Sequence, residues 1–233
     1  MQSIQSILAA AVQLFYPHNC HGCSTDLLHK HSLLCPRCFV NLPNTNFAKH
    51  ANNPIEKIFW GRLPLVAAHS EYYFAKESLI QHLVHQLKYK GNRDIGIFLG
   101  ELMAKSLLGS NRFNQLDGLI PLPMFPDKEK KRGYNQAAVI CEGMSSILNV
   151  PVLSNYLLRQ KFTETQTKKH RTERWENVAD SFILENANQI KGKKLLLVDD
   201  VVTTGATLEA SGQLLQQVEG VQLSIATLMV AFK

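Results

Sequence analysis

Residues 193–208 read KKLLLVDDVVTTGATL, and no other stretch limits the fold of this chain so sharply. The apolar run Leu195, Leu196, Leu197, Val198 is too short for a helix and suits a strand buried on both faces, which implies a parallel sheet with helices on either side. Two carboxylates, Asp199 and Asp200, follow where that strand is expected to end. Thr203, Thr204, Gly205, Ala206 and Thr207 then form a small, hydroxyl-rich turn, and Leu208, Leu214, Leu215 and Val218 begin a helical spacing. An apolar strand, an acid pair, a small loop and a helix start together make an anion-binding device.

The first turn of a helix presents backbone N–H groups without partners and roughly half a positive charge, so a phosphate fits there. Gly205 lets the backbone approach, and the threonine hydroxyls can donate. Asp199 and Asp200 would repel a phosphate. They suit something a carboxylate accepts from or binds, such as sugar hydroxyls or a magnesium ion. A phosphate and a ribose held a few atoms apart mean a ribose 5-phosphate. A nucleotide P-loop is excluded, because no lysine follows the glycine.

The stretch resembles the phosphoribosyl-pyrophosphate motif of the type I phosphoribosyltransferases. By that resemblance Asp199 and Asp200 take the ribose 2′- and 3′-hydroxyls, and Thr203, Thr204, Gly205, Ala206 and Thr207 cradle the 5′-phosphate. The implied fold is α/β, a type I phosphoribosyltransferase-like parallel sheet flanked by helices.

A chain of 233 residues is long enough for one large or two small domains. No apolar run approaches the roughly 20 residues of a membrane span. Ile4, Ile7, Leu8, Ala11, Val12 and Phe15 have helical spacing without a basic start, so an amphipathic helix is expected and no signal peptide. A cytoplasmic protein is the expectation. The balance of 25 Lys plus Arg against 19 Asp plus Glu gives +6, which suits anionic ligands. Basic residues crowd 128–132 and 159–174.

Four of the five cysteines fall in two C-x-x-C knuckles, Cys20 with Cys23 and Cys35 with Cys38. Each knuckle sets two thiolates on one side of a tight turn, and two knuckles close a tetrahedral site of the kind that holds structural zinc. The knuckles stand closer together than in the commonest ribbons, so a small zinc-ribbon-like module is expected. His18, His21, His29 and His31 are near enough to replace a cysteine but are read as solvent-facing, and Cys141 as a core residue.

The polar, Asn- and Pro-rich stretch 42–54 reads as a linker or loop. It divides a helix and zinc module over 1–50 from a phosphoribosyltransferase-like domain over 51–233. Beyond it, 65–74 has strand character, 78–88 is a helix stopped by Gly91, and another helix carries Ile97, Phe98, Leu102, Met103 and Leu107. A strand over 116–122 leads into a basic loop, 127–137, that feeds a helix to about Leu148. In an open α/β sheet that loop and the acid-pair loop share the edge where ligands bind.

Taken along the chain, five blocks together resemble the ComF family, phosphoribosyltransferase-like proteins linked with bacterial DNA uptake, GntX-like members among them. The blocks are the paired knuckles; Leu87-Lys88-Tyr89-Lys90-Gly91; Ile120-Pro121-Leu122-Pro123 with Arg132-Gly133-Tyr134-Asn135-Gln136; the segment 159–182; and the acid-pair motif. Arg159, Thr163, Gln166, Arg174, Asn177 and Phe182 stand at the family's spacing, with Glu164 where a proline is usual. The resemblance implies phosphoribosyl pyrophosphate with magnesium as donor, Arg132 on its pyrophosphate, and the basic 159–177 stretch as a cover. It leaves two functions open: transfer or hydrolysis of the phosphoribosyl group, or a binding module in DNA uptake that grips single-stranded DNA and DNA-uptake proteins.

Overall fold

A computed structural model of the chain describes residues 18–26, 32–160 and 181–232. Its centre is a four-stranded, all-parallel sheet. The strands are β1 (Ala68–Tyr73), β2 (Gly118–Pro121), β5 (Lys194–Val202) and β6 (Gln222–Val230), in the order β1-β6-β5-β2. A short antiparallel hairpin, β3 (Leu157–Arg159) with β4 (Phe182–Leu184), stands apart from it. The inner strands are mostly apolar because both faces are covered: Leu195 to Val198 and Leu223 to Val230 are buried, Ser224 and Thr227 among them.

One face packs on α3 (Leu79–Tyr89), α4 (Arg93–Leu108) and α6 (Gln136–Leu148), with Leu83, Leu87, Leu99, Met103 and Ile140 meeting Val198 and Leu228. The other face packs on α2 (Pro54–Phe59), α7 (Ala206–Gln216) and the hairpin, with Ile55, Phe59, Leu208 and Phe182 meeting Leu195, Leu197 and Ile225. Sheet and flanking helices therefore match the α/β expectation. Burying a side chain the size of Leu, Ile or Phe stabilises by roughly 1.5–3 kcal/mol, so these two layers hold the sheet. Among the described residues no helix is long and apolar enough to cross a membrane. The expected helix over residues 4–15 and the cover over 161–177 lie outside the described residues, as do His29 and His31.

Two expectations are corrected, the first in part. Of the two readings of 42–54, linker or loop, the structure shows a loop packed on β1 and not a linker. Thr45 donates its hydroxyl to the Ser70 carbonyl at 2.5 Å and its backbone N–H to Glu71, while Leu42, Phe47 and Ala48 are buried. Asn53, itself buried, caps α2 through Oδ1 and donates from Nδ2 to the carbonyls of Phe47, His50 and Ala68. Asn53 satisfies backbone groups in a tight fold, while Asn46 and Asn52 take left-handed backbone at φ 59° and 58°.

The basic segment after β2 is not a loop but a helix, α5 (Pro126–Arg132), separated from α6 by a short turn. Pro126 opens it, Asp127 and Glu129 occupy its positive end, Lys130, Lys131 and Arg132 its negative end, and Gly133 at φ 88° ends it. Asn135 then caps α6 by accepting from the Ala137 N–H.

Candidate functional site

The strand β5 runs past the acid pair to Val202 before the chain turns. Successive strand residues point to opposite faces, so the two carboxylates diverge. Asp200, buried, reaches α3, where Lys88 Nζ lies 2.6 Å from its Oδ2. Asp199 belongs to the other face, in the electrostatic reach of Arg159 at the end of β3, and its Oδ1 accepts the Asp200 N–H at 2.7 Å. Burial and then the charge of Asp200 push the Asp199 carboxyl well above the usual carboxylate range, against the pull of Lys88 and Arg159.

Directly after the acids the chain forms a cup. Asp199, Val201, Val202, Thr203, Thr204, Gly205, Ala206, Thr207 and Leu208 enclose about 50 Å³, several times the roughly 10–15 Å³ one water-sized group needs and far below a whole-ligand pocket. It suits one compact polar group. Gly205 is the N-cap of α7 at φ 78° and offers no side chain to the first-turn N–H groups. A Cβ there would also lie 2.8 Å from Ile58 Cγ2 and 2.8 Å from Phe59 Cε1, so α2 buttresses the cup from behind. Arg62, just beyond α2, donates to the Thr204 carbonyl at 3.1 Å and pairs with Glu209 of α7 at 2.7 Å, fixing the loop from outside.

The structure thus brings Asp199, Asp200 and 203–207 into one site. Arg132 stands at the end of α5 with its guanidinium 5.5 Å from the Tyr89 ring, next in the chain to Lys88, so it shares the α3 side of the acid pair. Three side chains absent from the expected set also belong here. Lys88 sits in a quoted block, before the glycine that ends α3, yet nothing local says that it reaches Asp200. Arg159 is wedged between the rings of Phe125 at 3.9 Å and Phe182 at 4.9 Å; among the described residues its buried Nε has no hydrogen-bond partner. Burial pulls its guanidinium down from the usual value, opposed by Asp199. Arg62 leaves no trace in the sequence.

Alongside α3, with Cys35 and Cys38 at the start of α1 (Pro36–Val40), lie the four knuckle cysteines, all free thiols, with sulfurs within 4.8 Å of one another and Cys23 Sγ 3.6 Å from Cys35 Sγ. A tetrahedron of zinc–sulfur bonds of about 2.3 Å has edges near 3.8 Å, so the four can hold a metal ion such as zinc. Backbone N–H groups already aim at the sulfurs, Gly22 and Cys35 at Cys20 and Cys38 at Cys35, as they do around a thiolate centre. Two of the flanking histidines are not solvent-facing as expected. His18 bonds the Ser32 carbonyl at 2.8 Å, and His21 holds Gln86 of α3 through its ring at 3.2 Å and its carbonyl at 2.8 Å. Cys141 is fully buried, and burial pushes its thiol up, as a core residue's should be.

Comparison with known proteins fits this geometry. Residues 127–231, which include α6, the acid pair and the cup, match the phosphoribosyl transferase domain family. The chain is 28% identical over 211 residues to competence protein F of Haemophilus influenzae, covering 88% of this chain and 87% of that protein. To the DNA utilization protein YhgH of Escherichia coli it is 30% identical over 190 residues, 78% of this chain and 77% of that one. The chain belongs to the ComF family of phosphoribosyltransferase-like proteins. A third relative, competence protein ComFC of Bacillus subtilis, is 33% identical over 112 residues, 48% of this chain and 43% of its own.

Within this ComF-family protein the blocks read separately along the sequence meet in space. Leu87 accepts a hydrogen bond from the Tyr134 hydroxyl, which joins the Leu87–Gly91 block to the Arg132–Gln136 block. Asn135 donates to the Leu122 carbonyl at 3.0 Å, and the Leu122 N–H to the Val198 carbonyl at 2.8 Å, which carries the contact to the acid pair.

Proposed function

We propose that the protein binds phosphoribosyl pyrophosphate with magnesium at the carboxyl edge of β5 and transfers its phosphoribosyl group, in the service of DNA uptake. One observation carries this reading: residues 201–204 lead from the acid pair to a helix N-terminus whose cap, Gly205, has no side chain, and the turn encloses room for one phosphate-sized group. Asp199 and Asp200 accept the ribose hydroxyls, and the N–H groups at the start of α7 with Thr203, Thr204 and Thr207 donate to the 5′-phosphate. Arg132, and Arg159 across the sheet edge, supply fixed positive charge for the departing pyrophosphate. Magnesium, arriving with the donor, adds charge neutralisation. The protein's contribution is position and electrostatics. The four cysteines hold zinc as a structural centre of the 1–50 part, which serves the 51–233 part from a cytoplasmic, thiol-preserving compartment.

Calorimetry with magnesium and phosphoribosyl pyrophosphate tests the donor site on the natural chain and on Asp199→Asn with Asp200→Asn. Each hydrogen bond to a charged acceptor is worth roughly 1.5–3 kcal/mol, so the double variant loses more than a hundredfold in affinity. Unchanged affinity would put the donor elsewhere. Pyrophosphate release in the presence of candidate bases then reports transfer.

A second reading, a non-catalytic module for single-stranded DNA, is favoured by one surface. The last turn of α5 is basic, and its Arg132 lies over Tyr89, a ring 68% exposed, as a stacking platform beside a phosphate track requires. It separates from the first by the salt dependence of oligonucleotide binding.

A further inference from the structure

Four consecutive residues at the end of α3 each reach a different part of the protein. Gln86 holds His21 of the first knuckle, the Leu87 carbonyl accepts from Tyr134, Lys88 meets Asp200, and Tyr89 lies under Arg132. The backbone carrying Lys88 is therefore pinned on both sides of it. The ion pair it makes is also unlike an exposed one, which contributes little: the Lys88 side chain is 22% exposed and that of Asp200 12%.

Among the described residues two cations bear on the acid pair. Lys88 faces it from α3, Arg159 from β3, and the two carboxylates face each other across one peptide unit. Adjacent carboxylates withdrawn from water repel, and one of them takes a proton unless a cation stands close. Lys88 is such a cation, and it opposes the rise of the Asp199 carboxyl without cancelling it. Yet the oxygen that Lys88 occupies is one the donor needs, for a hydroxyl or for its metal ion. An ammonium on a flexible four-carbon stem, with three equivalent donors, can leave that oxygen without dismantling a fixed fork as an arginine would.

We propose that Lys88 is a positioning residue of the donor site: it holds and aims Asp200 beside Asp199 in the ligand-free protein, and yields Asp200 when magnesium and phosphoribosyl pyrophosphate arrive. The second half rests on the donor reading above; the first does not. Arg159 serves Asp199 from the opposite face, so among the described residues each carboxylate has a cation set against it.

The test uses the full chain and two readouts. Carboxyl titration of ¹³C-Asp-labelled, ligand-free protein by NMR compares the natural chain with Lys88→Met and Lys88→Arg, and Lys88→Gln stands in if the Met variant does not fold. Removing the cation moves the Asp199 titration upward by about one to three pH units, and Lys88→Arg restores most of it. An unmoved Asp199 titration overturns the proposal. Calorimetry with magnesium and phosphoribosyl pyrophosphate as a function of pH is the second readout. The Met variant weakens about tenfold per unit below the displaced titration and recovers above it, because the donor needs ionised carboxylates. A loss equal at every pH would mean that Lys88 grips the donor directly, and would overturn the positioning role. If the donor binds none of the proteins, the donor reading fails, and the NMR titration alone still decides whether Lys88 holds the pair.

Discussion

Gly205→Ala isolates what holds the cup in shape. The backbone there is left-handed, at φ 78°, which costs an L-residue roughly 1–2 kcal/mol. The new methyl would also lie 2.8 Å from Ile58 Cγ2 and 2.8 Å from Phe59 Cε1, closer than side-chain contacts tolerate, and overpacking of this kind costs about 1–3 kcal/mol. Together they make roughly 2–5 kcal/mol, or about 4–20 °C in melting temperature at 2–4 °C per kcal/mol for a chain of this size. Gly133→Ala is the internal control, since Gly133 is at φ 88° with nothing within 4 Å of its Cβ position and pays the backbone cost alone. Thermal unfolding of both variants, with calorimetry on phosphoribosyl pyrophosphate, gives the comparison. Gly205→Ala melts lower than Gly133→Ala and loses the donor, because relieving the clash moves the loop off α2. Equal melting temperatures would refute the reading that α2 backs the cup.

Asp199→Asn separates stability from function. Because burial and Asp200 raise the Asp199 carboxyl in the folded state, its contribution to stability is fully present below the unfolded carboxyl value and is lost as pH rises through the raised one. The Asn variant therefore loses that decline, melts at least as high as the natural chain at neutral pH, and binds no donor; melting curves across pH check it, and a variant less stable at neutral pH would contradict it. Arg159→Ala removes a guanidinium held by two rings, so the melting temperature falls by about 2–8 °C for a loss near 1–2 kcal/mol and donor affinity drops, read by the same two measurements. Cys35→Ser lowers zinc, measured by elemental analysis, from one ion per chain; a metal-free chain that melts unchanged would dispose of the structural centre.

How far the sequence disclosed this depends on how local each signal is. The run ending in Asp199 and Asp200 names its own strand, turn and helix, and the structure places all three, with the strand continuing through the acids to Val202 instead of ending at them. The knuckles declare themselves for the same reason: the spacing within each pair is the geometry of the turn. The signals of α5 are equally local, since Pro126, Gly133 and the ordering of acids before bases together mark a helix, but a dense run of charges also fits a loop. In 42–54 the asparagines resemble a solvated linker because composition does not tell water from backbone as a partner; Asn53 spends its amide on three carbonyls instead. Lys88 with Asp200 and Arg62 with Thr204 are contacts between distant parts of the chain, fixed by how α2 and α3 pack on the sheet, and no local pattern encodes them.

The pinning of the last turn of α3 also constrains descent. A segment whose neighbouring residues answer to a metal knuckle, a tyrosine hydroxyl, an acid and an arginine cannot drift at one of these positions without disturbing the rest. Trading the cysteine module for another, or discarding it, would require replacing Gln86 together with its partner while leaving Lys88 where it stands. The cysteine module and the acid-pair edge are thereby tied through one helical turn, and a chimera that exchanges them as separable parts is expected to lose the Lys88–Asp200 contact.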